Sequence, residues 1–334
     1  MAPTALLRMI GQQAEALDRM AELDLARPAS VLAGAGRVIL VGTGTSQHAA
    51  ELGAMMLAAA GRDAVWYPAA TWARWGSGPR PGDALLVISH TGETAYAARA
   101  RADALAAGVP VVSVTGTGRG WPEAIETVPP DESHTYTVSY TSALAVLARL
   151  ASELGWADGS AEQVARAAIG VRQAVASPGI EEVAVPARSL AIVGCGPWGI
   201  TAREGALKIR EGARMLAEGF DTDRLLHGGA VPLTAADGLV VLEPAADPDG
   251  LTAALGAAAE AERVPVAVLA AADVPGAADS GPLPPLLAQI PMTVRLQLLA
   301  ERFACLRRQD PDVAITGEWD APALWQMGAP GAAP

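Results

Sequence analysis

Two short apolar runs, each stopped by a glycine, limit what this chain can become. Val38-Ile39-Leu40-Val41 ends at Gly42, and Leu190-Ala191-Ile192-Val193 ends at Gly194. Runs this short and this unbroken fit strands covered on both faces. Such strands need helices above and below, and Ala-rich stretches with helical spacing follow. Ala84-Leu85-Leu86-Val87-Ile88 and Val109-Pro110-Val111-Val112-Ser113-Val114 continue the first half. Gly238-Leu239-Val240-Val241-Leu242 and Val264-Pro265-Val266-Ala267-Val268-Leu269 continue the second. Residues 140–155 and 291–308 are apolar at helical spacing and close each half. Any doubly wound chain alternates in this way. The matched glycine-terminated strands and the matched Val-Pro starts go further, and favour duplication of one α/β domain with a parallel sheet between helices.

The chain's 334 residues suit two domains, and a hydrophobic share of 51% is enough for a core in each. The spacing predicts a leading amphipathic helix within 1–30, ended by Arg27-Pro28. A first domain over 31–160, a linker over 161–187, a second domain over 188–326 and a loose Gly/Ala/Pro tail over 327–334 follow. A net charge of −12 argues against nucleic acid or an anionic membrane as partner, since both call for a basic surface. Cys195 and Cys305 make neither a disulfide framework nor a four-thiolate zinc site, and no metal or cofactor is expected. With no membrane-length apolar run and no basic-then-apolar leader, the expectation is a cytoplasmic protein.

Ligands of open parallel sheets bind at the carboxyl ends of the strands. Two polar loops of the first half fall there. Gly42-Thr43-Gly44-Thr45-Ser46 opens one helix, and Ser89-His90-Thr91-Gly92-Glu93-Thr94 opens another. Helix N–H groups with Ser/Thr hydroxyls form a neutral cradle for phosphate, although such hydroxyls also serve as plain N-caps. Neither loop has the Gly-Lys-Ser/Thr ending of a P-loop, and the first lacks the third glycine of the dinucleotide fingerprint. The matching loops of the second half, Gly194-Cys195-Gly196-Pro197-Trp198 and Glu243-Pro244-Ala245-Ala246-Asp247, lack the hydroxyls.

The second half carries titratable residues instead. Glu204, Lys208, Glu211, Met215 and Glu218 fall on one face of a predicted helix. This spacing also fits a solvated ion-pair stripe. Lys208 is the only lysine in the sequence. Of the four histidines, His48 and His90 lie in or beside the polar loops, and His227 sits in Leu226-His227-Gly228-Gly229.

Gly44-Thr45-Ser46-x-His48-Ala49, Ser89-x-Thr91-Gly92-Glu93-Thr94, Glu204-Gly205-Ala206-Leu207-Lys208-x-x-Glu211 and Leu226-His227-Gly228 together resemble the sugar isomerase (SIS) domain family. Their order and spacing are similar to the isomerase half of glucosamine-6-phosphate synthase and its relatives without a glutaminase domain, such as deglycases and deaminases. The resemblance implies two tandem SIS domains, each with a flavodoxin-like parallel sheet, assembled as a homodimer. It implies that Thr45, Ser46, Ser89, His90, Thr91 and Thr94 surround a sugar phosphate. It implies that Glu211 moves a proton between C1 and C2 of the open-chain sugar. It further implies that Lys208 holds the sugar oxygens or tunes the glutamate, and that His227, lent across subunits, assists ring opening.

Two departures shape the expected reaction. No lysine follows Lys208, so the synthase's Schiff-base lysine is absent, and the corresponding stretch reads Asp310-Pro311-Asp312-Val313-Ala314-Ile315-Thr316. The family's basic residue before the last helix of the first domain appears as Val138, and position 90 is His where the synthases often have Gln. The expectation is an isomerase, deaminase or deglycase working through an enediol or enaminol. The alternatives are a non-catalytic sugar-phosphate binder, or amination of a ketose phosphate with free ammonia or a separate glutaminase partner.

Overall fold

The computed structural model describes residues 3–271 and 281–331. Helix α1 spans Ala5–Ala21 and buries Leu6, Ile10 and Leu17, three of the periodic positions of the sequence. Arg27-Pro28 does not end this helix. It lies in the first turn of α2 (Ala26–Ala33), where proline's missing N–H leaves no bond unmade. The chain continues with β1 (Arg37–Gly42), α3 (Thr45–Ala59), β2 (Ala64–Pro68), α4 (Ala69–Trp75), β3 (Asp83–Ile88) and α5 (Ala95–Ala106). Then come β4 (Val111–Thr115), β5 (Ala124–Glu126), α6 (Val138–Glu153) and α7 (Ala161–Ala176). The second series has β6 (Leu190–Gly194), α8 (Pro197–Ala213), β7 (Ala217–Asp221), β8 (Gly238–Glu243), α9 (Leu251–Ala261), β9 (Val266–Ala270) and α10 (Pro285–Arg307).

The segment 161–187, expected to be a linker, opens with the four-turn helix α7, whose Val164, Ala167, Ala168 and Val171 are fully buried. Of the expected tail, 327–331 is described and 332–334 lies outside the described residues; a Cβ at Gly328 would fall 2.2 Å from the ring of Tyr96, so this part is packed.

By their contacts the residues divide into two units, each discontinuous in sequence. One comprises Glu15–Asp131, Val138–Ala165 and Ile315–Pro334; the other comprises Met1–Ala14, Glu132–Thr137 and Arg166–Ala314. The first holds a parallel sheet in the order β2-β1-β3-β4-β5. That is the doubly wound, flavodoxin-like order. Ile39, Val41, Leu85 and Val87 face α4 and α5, while Leu40 packs toward α3 and α6 near Gly53 and Leu147.

The second unit repeats the plan with β7-β6-β8-β9, all parallel. Ala191 and Val193 face the α9 side with Leu255, and Ile192 faces α8 and α10 with Leu296 and Phe303. Each fully buried Leu, Ile or Phe contributes roughly 1.5–3 kcal/mol to these cores. The two sheets also share a pair at the strand starts. Arg37 donates to both oxygens of Asp83 at 3.1 and 2.7 Å, and Arg188 to both of Asp237 at 2.8 and 2.5 Å.

Candidate functional site

In the first unit, β1 and β3 are neighbours, so their following loops emerge side by side at the carboxyl edge of the sheet. The turn after β1 is forced tight. A Cβ at Gly42 would lie 2.2 Å from the Ser46 carbonyl oxygen, and Gly44 holds φ +58°, a region open mainly to glycine. This places Thr45 and Ser46 as the first two residues of α3, half-buried, and no side chain caps the helix. Its first-turn N–H groups therefore face the turn.

The loop after β3 is held by its own backbone. Ser89 N donates to Val114 O at 3.0 Å, Gly92 N to Ser89 O at 3.1 Å, and Gly116 N to His90 O at 2.9 Å. Ser89 is almost fully buried and its hydroxyl lies 3.4 Å from the Thr94 hydroxyl. Thr91 accepts from the Glu93 N–H at 3.1 Å. Thr94 is the N-cap residue of α5 by position, yet its side chain makes no cap bond. Ser89 and Thr94 thus sit beside the uncapped first turn of α5, the arrangement that suits an anion.

His90 stands differently from its neighbours. Its Nε2 lies 3.6 Å from Oδ1 of the buried Asp131, whose other oxygen accepts from Ser139 at 3.3 Å. Burial and the Arg119 charge push its pKa down to about 4, against the pull of the Pro129 carbonyl. The imidazole is therefore neutral near pH 7. Asp131 and Arg119 were not singled out in the sequence; the one available signal is the Gly118-Arg119-Gly120 triplet following a predicted strand. His48 is a buried residue of α3.

In the second unit the acidic and basic residues of α8 converge. Glu204 and Lys208 are fully buried, and Glu211 keeps 22% of its side chain exposed. Lys208 Nζ donates to Glu211 Oε2 at 2.8 Å and lies 3.4 Å from Glu204 Oε1. Burial works against the ammonium charge, but the two carboxylates outweigh it and hold Lys208 protonated. Burial likewise pushes the Glu211 carboxyl above the ordinary carboxylate range, with Lys208 opposing and Glu204 reinforcing the rise. The pattern is a carboxylate with one exposed edge, set against a buried cation.

The predicted five-residue face is shorter than expected. Helix α8 ends at Ala213, Met215 joins the core and Glu218 lies in β7. His227 sits in a short helical stretch broken at His227 and Gly228, with its side chain 76% exposed and its Nε2 3.6 Å from Asp223 Oδ1. Cys195 and Cys305 are free and exposed. Among the described residues, no cluster of three or more His, Cys, Asp or Glu could hold a metal ion, and no helix is long and apolar enough to cross a membrane.

The chain has relatives over most of its length. It is 29% identical over 306 residues to the glutamine–fructose-6-phosphate aminotransferase [isomerizing] of Zymomonas mobilis, and 30% identical over 309 residues to that of Pyrococcus horikoshii. Each match takes in 83% of this chain but 50% of the relative, so the chain spans about half the length of these curated relatives. Among solved structures, the tagatose-6-phosphate ketose/aldose isomerase of Escherichia coli is similar in fold, with a TM-score of 0.76 at 18% identity, covering 96% of this chain and 98% of that one. The SIS domain model matches residues 31–150, which take in all of the five-stranded sheet and both hydroxyl-bearing turns. Residues 31–150 of this chain thus match the SIS domain family.

Proposed function

We propose that the chain acts on a sugar phosphate or amino-sugar phosphate at C1 and C2 through an enediol or enaminol. The observation that carries this reading is the Glu211 carboxyl, raised in pKa and locked to the buried Lys208. A base that moves a carbon-bound proton works best when its pKa approaches the operating pH. In this reading Glu211 takes the proton from C2 and returns it to C1. The Lys208 ammonium, held at 2.8 Å, orients the carboxylate and offsets the charge that develops on the sugar oxygens. Thr45, Ser46, Ser89, Thr91 and Thr94 hold the phosphate, and the neutral His90 contributes a hydrogen bond rather than a charge. His227, exposed in one copy, assists ring opening for a second copy in a homodimer.

The sole lysine is protonated between two carboxylates, which disfavours an imine with the ketose and supports direct proton transfer. Amination of a ketose phosphate, with ammonia free or delivered by a separate glutaminase, is a second reading; the names of the aminotransferase relatives favour it. A cytoplasmic setting belongs to both.

The test is proton exchange. Glu211→Gln should slow C2 exchange into deuterium oxide about 100-fold or more across hexose and hexosamine 6-phosphates. Exchange at the native rate would remove the glutamate from the mechanism. Addition of ammonia that raises turnover of a ketose phosphate would select the amination reading.

A further inference from the structure

We propose that Arg119 supplies the positive charge for the substrate's anionic group at the 89–94 turn, so that a phosphate there is gripped by a guanidinium as well as by hydroxyls. This rests on the reading that the turn takes a phosphate. Arg119 lies on the loop after β4, the strand next to β3. Its side chain runs along the 89–94 turn: a Cβ built on Gly92 would sit 3.4 Å from the Arg119 Cβ and 3.7 Å from its Cγ. Its guanidinium acts on His90 from the same loop, lowering that imidazole's proton affinity.

The guanidinium is poorly satisfied. Only 21% of the side chain is exposed, and Nε is buried with no hydrogen-bond partner among the described residues. Nη1 is 3.9 Å from Glu93 Oε1, a separation beyond hydrogen-bond reach, and Glu93 is 82% exposed. A largely desolvated cation with an unmet donor and a loose, solvated counter-ion gains most from an incoming anion. Arginine presents paired N–H groups that match phosphate oxygens two at a time. A chain of net charge −12 otherwise repels a phosphate dianion, and hydroxyls and helix N–H groups are formally neutral. Glu93 then acts as the stand-in that the ligand displaces.

The experiment is titration calorimetry with inorganic phosphate and with fructose 6-phosphate, over a salt series, on the full chain. Arg119→Gln should weaken both at least tenfold and flatten the salt dependence, while Arg119→Lys retains part of the affinity. Ser89→Ala, which tests the turn itself, should weaken binding with the salt dependence kept. Native affinity in Arg119→Gln alongside loss in Ser89→Ala overturns the role of Arg119 and leaves the turn as the phosphate site. Failure of the unaltered protein to bind either ligand overturns both. Should Arg119→Gln lose its fold by circular dichroism, Glu93→Gln decides: two- to fivefold tighter binding is expected, and an unchanged affinity overturns the proposal.

Discussion

The turns after β1 and β6 are one backbone with two kinds of lining. Gly44 has φ +58° and ψ −127°, and Gly196 has φ +57° and ψ −121°. A Cβ at Gly42 would strike the Ser46 carbonyl oxygen at 2.2 Å, and one at Gly194 would strike the Trp198 Cβ at 2.5 Å. After that the chemistry parts. The first turn leads into Thr45-Ser46, and the second into Pro197, which has no N–H, and the buried Trp198. The Asp221 carboxylate fills the space beside Gly199 in the first turn of α8 and pairs with Arg203 at 2.9 Å. The first turn offers hydroxyls and uncapped helix N–H groups, which suit an anion, while the second offers a proline, an indole and a resident carboxylate. The lesson is that two turns can share one backbone geometry, while a ligand site depends on which side chains fill it.

The same division runs through the helix ends. Arg214, Arg263 and Arg308 are the three described non-glycine residues with positive φ, at +48°, +63° and +55°. Their counterparts after α3, α5 and α6 in the first series are Gly61, Gly108 and Gly155, also at positive φ. The closing bonds match as well: Val109 N to Ala104 O at 3.0 Å, and Val264 N to Ala259 O at 2.9 Å. The first series uses the residue without a Cβ. The second accepts left-handed strain at arginines, whose charge suits the negative end of a helix.

The largest expected effect would break or secure the division of labour. Glu211→Gln should cut proton exchange about 100-fold or more yet leave phosphate affinity in place, whereas Ser89→Ala should raise KM and change kcat little. Steady-state kinetics on one sugar phosphate separates the two, and coincident losses would erase the contrast between the units. The pH profile sharpens it further. Because burial raises Glu211, exchange should switch on with a midpoint above about 4.3, the ordinary glutamate value.

Next come the two tight turns. Gly42→Ala and Gly194→Ala should each cost about 2–4 kcal/mol in urea unfolding, since the backbone of the following helix turn must give way in both. Only the former should weaken phosphate binding in the remaining folded protein.

The paired aspartates follow. Asp237 accepts from Arg188, Ser189 and Thr234, and these contacts hold its carboxyl far below the usual range; Asp83 is lowered as well, its bonds to Arg37 and Arg80 outweighing the desolvation that opposes them. Asp237→Ala should cost about 2 kcal/mol, through loss of its charge-assisted hydrogen bonds to Arg188, Ser189 and Thr234. A lowered folded pKa means the aspartate's contribution is complete above about pH 4 and is lost as pH falls through the folded value. The variant should therefore show a weaker acid dependence of its thermal midpoint, which calorimetry from pH 7 downward would register. The smallest effect is Arg263→Gly, expected to stabilise by about 1 kcal/mol, with Gly108→Arg moving the other way in the same denaturation assay.

Several features were legible because their physics is local. The strands β1, β3, β4, β6 and β8 appear as apolar runs since central strands of a parallel sheet are covered on both faces, whereas β9 is apolar although it is an edge strand with Val268 exposed. Ala64–Pro68 and Ala217–Asp221 were not read as strands. They lie at sheet edges, and their residues are mostly half-buried, with Glu218 exposed. The helix through Glu204, Lys208 and Glu211 was visible, but its end at Ala213 was not, because Arg214 adopts a left-handed conformation that its residue type does not announce.

The sequence by itself determined the doubled strand–helix order, the glycines that sharpen both turns, the hydroxyls of one turn and the proline of the other. All of these follow from short-range sterics and from which side chains exist to be used. Only the tertiary structure decided that Lys208 is fully buried between two carboxylates, that Glu211 keeps an exposed edge, and that Arg119 lies along the 89–94 turn beside His90. Burial and proximity across separate strands set charge and proton affinity, and neither is written in the spacing of residues along a chain.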